Sequence, residues 1–441
     1  MFIFGSLKQL SMNREILRLA VPNIISNISV PLLSTVDTAL MGRLSELHIG
    51  AVGVGAMIFN FVYWNFGFLR MGTTGLTAQA FGQQSEMAIA NTLGRAMVVV
   101  LALSGLILAL QYPLAWVSFE LMNINAEQEA LVSEYFYIRV WAAPATLALY
   151  AFMGWFFGMQ NAIYPLVLTV SINLVNIILS YLLVRELDWG VAGVAYGTLI
   201  AQYFGLILAL MLFGYRYGYY LKSLRKKALF YWEELKKFLS LNFDIFIRTL
   251  CLTFAFGFFY SQSASEGPLA LAANVILLQY LNWMSYGVDG FAFATESLVG
   301  KYAGAKDGPN TNRAIRLAFA WGMGLAVGFS LLYGLAGIPM LRLFTNEADV
   351  ISVAREFMFW MAIFPVLSTP CYIWDGVFIG LTASKAMRNC MLIAMAIFLG
   401  LYYGYGQFEG NHGLWLTLLV FMVARGIIQQ IAYSWKGLAL R

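Results

Sequence analysis

Twelve times along the chain, near residues 27, 63, 105, 142, 173, 203, 249, 282, 324, 363, 394 and 424, the sequence passes through a stretch of predominantly apolar residues. Each is roughly 20 residues long, the length a helix needs to cross a bilayer. Hydrocarbon offers a backbone no water to bond, so such stretches are confined to helices. The expected fold is therefore an all-α integral membrane protein with twelve transmembrane helices. Composition agrees, because 61% hydrophobic and 11% charged residues give more apolar surface than a soluble core of 441 residues could bury. The first stretch, 16–40, is too long for a signal-peptide core and shows no small-residue cleavage pattern, so it is expected to be a retained helix. Cys251, Cys371 and Cys390 fall inside spans without metal-ligand spacing and read as packing residues.

Charge placement sets the expected orientation, since cytoplasmic loops retain Lys and Arg. With both termini inside, 19 Lys/Arg lie on the cytoplasmic side, and only Arg43, Arg139, Arg185, Arg342 and Arg355 lie outside. The expected location is the inner or plasma membrane, with both termini cytoplasmic. The longest polar interruption, YRYGYYLKSLRKKALFYWEELKK, begins at Tyr215 and splits the chain almost in half. Its basic and aromatic residues suit an amphipathic linker on an anionic leaflet. Three parts are expected: an N-terminal six-helix lobe over 1–215, a linker over 216–237 and a C-terminal six-helix lobe over 238–441.

The halves resemble each other. Sliding the sequence by 222 positions brings Leu19, Ala51, Asn60, Thr73, Leu76 and Gly82 onto Leu241, Ala273, Asn282, Thr295, Leu298 and Gly304. Gly154, Phe156 and Gly158 fall on Gly376, Phe378 and Gly380 in the same register, and near the ends the shift becomes 220, with Gly193 on Gly413. Six helices followed by six in the same orientation make parallel repeats, two bundles related by a pseudo-two-fold along the membrane normal. Rocking of such lobes about a central site is one way to give a solute alternating access.

Ionisable groups inside the spans narrow the function, because each costs roughly 2.5 to 3.5 kcal/mol at mid-membrane unless paired or wetted. The candidates are Asp37, Arg70, Asp244, Arg248, Asp289, Glu296, Asp375 and Arg425. Asp244 and Arg248, four apart, are expected to neutralise each other on one helix face. Glu296 is expected near the cytoplasmic helix end beside Lys301, and Arg70 and Asp289 are candidates for a salt bridge between lobes. Asp37 has no cation at i±3 or i±4. Desolvation favours the neutral form of a carboxyl, so such a group could alternate between holding a proton and meeting a cationic solute. Asn173, Asn176 and Ser180 form a polar stripe on the fifth span, and Thr198 lies in the Gly-rich sixth.

Residues 17–84, with LRLAVPNIISNISVPLLSTVDTALMGRL and FGFLRMGTTGLTAQAFGQ, resemble the multidrug and toxic compound extrusion (MATE) family, its DinF branch in particular. DGFAFATESLVGKYAGA and WDGVFIG in the second half are similar to it too, and the likeness covers nearly the whole chain. The resemblance implies that Asp37 is the proton or cation site, that Asn176 and Thr198 surround it, and that Pro22 is where the first helix bends, a proline lacking the backbone donor. Members often carry a second acid where this chain has Ser180. That departure favours H+ over Na+ as the coupling ion, and no cofactor is implied. The expected function is proton-coupled export of small organic compounds, cationic or amphipathic, by a monomer whose other partner is the lipid bilayer.

Two other transport readings remain open at this point: a flippase for a lipid-linked substrate, which asks for an Arg-rich cavity, and a Na+-coupled exporter. Import is also compatible with the sequence, since direction follows gradients. Enzymatic catalysis is not expected. His48 and His412 are read as loop residues, the spans hold no nucleophile or metal-ligand cluster, and no GxxxxGK[ST] loop exists for ATP. Nothing in the charge pattern suggests nucleic acid.

Overall fold

The computed structural model describes residues 11–29, 46–122 and 124–435. Among them there is no strand, and every expected span centre falls in a helix. The helices are α1 (11–29), α2 (Glu46–Asn65), α3 (Phe68–Gly82), α4 (Glu86–Ala109), α5 (Gln111–Leu121), α6 (Ala126–Arg139), α7 (Ala143–Gly158), α8 (Ile163–Tyr181) and α9 (Gly190–Tyr217). They continue with α10 (Lys226–Leu229), α11 (Trp232–Ser265), α12 (Pro268–Gly304), α13 (Gly308–Leu341), α14 (Ala348–Glu356), α15 (Met358–Gly380), α16 (Ser384–Gly404) and α17 (Gly410–Trp435). Among the described residues ten helical stretches are long and apolar enough to span a membrane. The 37-residue α12 is not one of them, because it interrupts its apolar residues with Gln279, Asn282, Asp289 and Glu296.

The chain forms two compact units, one of Ile25–Leu239 and one of Met1–Ile24 with Ser240–Arg441. The boundary falls inside α1, two residues past Pro22, and not at the linker alone. Pro22 therefore stands within a helix that begins by residue 11, where the sequence placed it near the helix start. Before the boundary, Ala20 and Ile24 pack against Gly290 of α12.

Each unit repeats one packing scheme. In the first, α3 lies on α4 and α7, α4 on α7, α7 on α9 and α8 on α9; in the second, α12 lies on α13 and α15, α13 on α15, α15 on α17 and α16 on α17. The repeat extends to atoms. A Cβ added to Gly158 would lie 2.9 Å from the Thr74 carbonyl oxygen, and one added to Gly380 would lie 2.8 Å from that of Glu296. Both pairs are related by the same 222 positions, as are Gly154 against the Arg70 carbonyl and Gly376 against the Ala292 carbonyl. Small residues let helices approach this closely where no hydrophobic drive holds them together.

Turns follow the same register. Gln84 and Lys306 both have φ of 56° at the turn before α4 and α13. The next residue caps each helix, Ser85 Oγ accepting from Ala88 N at 3.3 Å and Asp307 Oδ1 from Asn310 N at 3.1 Å. Gly190 and Gly410, with φ of 51° and 55°, open α9 and α17 at the 220 shift.

The stretch 216–237 is less of a free ribbon than its composition suggests. Arg216 and Tyr217 end α9, a 3-10 turn covers Gly218–Ser223, and Trp232 to Lys237 already belong to α11. Tyr217 and Tyr220 turn inward, edge-on to Trp155 with centroids 5.0 and 5.9 Å away. Trp155 is itself buried and donates from Nε1 to the Ile89 carbonyl at 3.1 Å.

Adding a methyl group at Gly154 or Gly376 forces it into a backbone carbonyl that cannot swing away. Gly154→Ala and Gly376→Ala should each cost about 1–3 kcal/mol, read as a lower thermal midpoint of the detergent-purified chain. Gly214→Ala, which meets open space, should leave the midpoint unchanged; equal shifts for all three would contradict the close-approach account.

Candidate functional site

On α8, Asn173, Asn176 and Ser180 share one face. Asn176 is buried and donates from Nδ2 to Thr198 Oγ1 at 2.9 Å, and that hydroxyl donates in turn to the Val194 carbonyl at 3.0 Å within α9. Ser180 is buried at the same α8–α9 seam, where a Cβ on Gly197 would sit 2.6 Å from its Oγ. Asn176 Oδ1 and Ser180 Oγ have no hydrogen-bond partner among the described residues. A buried polar atom left open costs about 1–3 kcal/mol, which is why such atoms are rare. Two open oxygens one helical turn apart form an acceptor-rich spot suited to a protonated group or a small cation. At the other end of the stripe, Asn173 Nδ2 donates to the Ser29 carbonyl and hydroxyl at 3.2 and 3.1 Å. The stripe is thereby tied to α1, on whose sequence Asp37 follows. Asp37 lies outside the described residues.

The second unit holds a different set. Asp375 on α15 is buried and forms ion pairs with Arg248 of α11 and with Arg425 of α17, the latter at 2.7 Å. Its other oxygen accepts from Gln429 Nε2 at 2.6 Å. Arg425 is buried with Asp375, lies 5.6 Å from the Phe421 ring centroid and contacts Met422 Sδ at 2.9 Å. Both carboxylate oxygens are engaged, and two guanidinium groups share one acid.

This arrangement corrects the expected Asp244–Arg248 pair. The i,i+4 spacing puts both on one side of α11, but neighbouring helices offer better geometry: Asp244 accepts from Ser384 Oγ at 2.8 Å and Arg388 Nη1 at 2.6 Å, while Arg248 turns to Asp375. Glu296, expected near the helix end beside Lys301, is buried, and Lys301 meets Glu15 Oε2 at 3.0 Å. Arg70, in the first unit, holds its guanidinium 6.0 Å from the Phe157 ring centroid; Asp289, in the second, is half-buried on α12. His48 and His412 stand on helices α2 and α17, not in loops, and His412 Nδ1 accepts from Trp360 Nε1 at 3.1 Å. On its own helix Arg425 has only amide neighbours such as Gln429 and stays unassigned from sequence, and nothing in the spacing singles out Arg388 for pairing. One acid and one base on separate apolar spans are the signal that would have found the Asp375 to Arg425 contact.

The MatE family model matches residues 22–182 and again 245–406, one match in each half. The chain belongs to the multidrug and toxic compound extrusion family. Members of the MATE family are membrane transporters of small organic and toxic compounds and not enzymes, so this chain is an efflux transporter by membership. It is 36% identical over 429 residues to DNA damage-inducible protein F of Escherichia coli, covering 97% of this chain and 92% of that one. It is 24% identical to the multidrug resistance protein MdtK of Edwardsiella ictaluri, with 96% and 95% covered. Among solved structures, the Vibrio cholerae MATE transporter VcmN in the bent form superposes with a TM-score of 0.85 at 20% identity, covering 98% of each chain. A MATE transporter in the straight conformation gives a TM-score of 0.86 at 20% identity, covering 97% and 96%. These likenesses establish the twelve-span, two-bundle MATE fold.

Asp375→Asn would leave two buried guanidinium groups without their carboxylate. The expected loss of stability is about 3–5 kcal/mol, seen as a lowered thermal midpoint. Replacing the three together, Asp375→Leu with Arg248→Met and Arg425→Met, should recover most of it. A triple variant as unstable as the single one would argue against a closed, purely internal ion network.

Proposed function

We propose that this MATE transporter is a proton-coupled antiporter that exports organic compounds, cationic or amphipathic, with Asp37 as the protonation switch. The observation that carries this reading is the pair of open oxygens, Asn176 Oδ1 and Ser180 Oγ, in a stripe that Asn173 ties to α1. Asp375 is the natural rival for the role. It has both oxygens occupied and two cationic neighbours, so releasing a solute or taking a proton there means breaking two ion pairs. A carboxyl beside unoccupied acceptors has no such cost. Protonated, it donates to a neighbouring oxygen; ionised, it offers a charge to a cationic passenger.

The coupling ion follows from the ligands available. Ser180 stands where family members often bear a second acid, leaving one carboxyl in this set and few anionic ligands for Na+. A proton needs only the carboxyl itself. If one proton enters as one monovalent cation leaves, no net charge moves, and each pH unit supplies roughly 1.4 kcal/mol, a tenfold gradient of solute. Pro22 supports a bending role for α1. It sits two residues before the point where the helix passes from one compact unit to the other, so a change of bend there would act on both. The excess of Lys and Arg in the even loops supports cytoplasmic termini.

The decisive measurement is efflux of a cationic dye from proteoliposomes under imposed pH or Na+ gradients, in the unaltered chain and in Asp37→Asn. The unaltered chain should respond to the pH gradient and not to Na+. The variant should lose pH-driven efflux at least tenfold while retaining dye binding. Full pH-driven efflux in Asp37→Asn would end the coupling assignment, and a Na+-driven response of equal size would end the choice of ion.

A further inference from the structure

The linker and Arg95 of α4 line an open cavity of about 580 Å³. Its lining is Arg95, Arg225, Lys227, Ala228, Tyr231 and Glu234, three cations to one acid. The acid is already shared. Glu234 lies 3.7 Å from Arg95 Nη1 and 3.0 Å from Lys237 Nζ, so Arg225 and Lys227 have no carboxylate of their own among the described residues. Arg95 is largely buried, donates from Nη2 to the Ala228 carbonyl at 3.2 Å, and keeps a buried Nε with no acceptor.

The cavity is held open by the fold. Arg225 N donates to Asn91 Oδ1 at 3.2 Å, and Ser223 Oγ to Glu86 Oε2 at 3.1 Å, so the linker is pinned to α4 where its basic run begins. The surroundings are not those of a site for a free anion. Leu221, Phe230, Tyr231 and Trp232 are all about 60% exposed or more, and aromatic side chains standing beside Lys and Arg are the pattern of a membrane interface.

We infer that this cavity binds the phosphate of an anionic phospholipid, whose acyl chains lie against the exposed apolar side chains of the linker. Arg225 and Lys227 meet the phosphate from the solvent side, Arg95 from beneath, and the Tyr231 hydroxyl offers one more donor. Bound there, a lipid bridges the linker to α4 and supplies the negative charge that Glu234 alone does not. Recognition is of a phosphate ester oxyanion, a chemistry shared by lipid headgroups and free phosphate. The flanking apolar surface commits the site to the lipid.

The test uses the detergent-purified full chain, titrated with phosphatidylglycerol in mixed micelles, with phosphatidylcholine as the neutral comparison and inorganic phosphate as the free-anion arm. Arg225→Gln with Lys227→Gln removes two charges from the cavity; Lys222→Gln with Lys236→Gln removes two from the same stretch outside it. Phosphatidylglycerol binding should fall roughly tenfold or more in the first pair and little in the second, with millimolar phosphate failing to displace the lipid. Equal losses in both pairs would mean diffuse attraction and overturn the site, as would no loss in the first. Displacement by phosphate alone, with the same dependence on Arg225 and Lys227, would make this a free-phosphate site and overturn the lipid assignment. The readout is binding, so it stands or falls independently of Asp37 and the coupling ion.

Discussion

A bilayer core offers no hydrogen-bond partners, and the molecule is organised around that deficit from the backbone outward. Helices satisfy the backbone within themselves. What remains is to pack them without the hydrophobic drive that assembles soluble cores, and here close approach replaces it. Gly158 against the Thr74 carbonyl and Gly380 against the Glu296 carbonyl place a bare Cα where any side chain would collide. The contact is made twice, 222 residues apart, so the duplication seen in the sequence is a duplication of helix seams. Turns with matching φ values at Gln84 and Lys306 show that the repeat includes how each helix is entered.

On this doubled scaffold the ion cluster of Asp375 and the Asn176–Thr198 pair are not doubled. Asp375 falls on Met153 at the 222 shift, and Arg248 on Ser26. In the other direction Asn176 meets Phe398 at the 222 shift or Ala396 at the 220 shift, and Thr198 meets Leu418 at the latter. Seams were kept while the polar inserts diverged. Each half then solves the cost of buried polarity separately: the second by ion pairs between helices α11, α15 and α17, the first by neutral hydrogen bonds between α8 and α9.

How much of this the sequence discloses depends on whether a feature lies within one helix or between several. Span positions, the 222 register and the Asn173, Asn176, Ser180 stripe are one-dimensional patterns, and all are readable from spacing. Partners are not. Asp244 and Arg248 look like a pair because four residues make one turn, yet Arg388, 144 positions away, holds Asp244. Lys301 looks close to Glu296 along the chain, while Glu15, from the far end of the sequence, reaches it in space. The linker hid its structure for the same reason, since Asn91, Glu86 and Trp155 fix it from other helices. For Asn176 and Thr198, family resemblance grouped residues of two helices around Asp37, and their direct hydrogen bond is visible only in the structure.

The contrast between the two polar sets bears on which half can change state. A carboxylate between two guanidinium groups sits in a deep minimum: each ion pair holds the other in place, and removing any member exposes charge to a medium that cannot screen it. Such a cluster gives a bundle a fixed internal geometry. A seam with open acceptors is shallower, because an arriving hydrogen or cation gains a partner there without displacing one. The open acceptors lie in the first unit and the closed ion cluster in the second, so an arriving ligand meets a lower cost in the first.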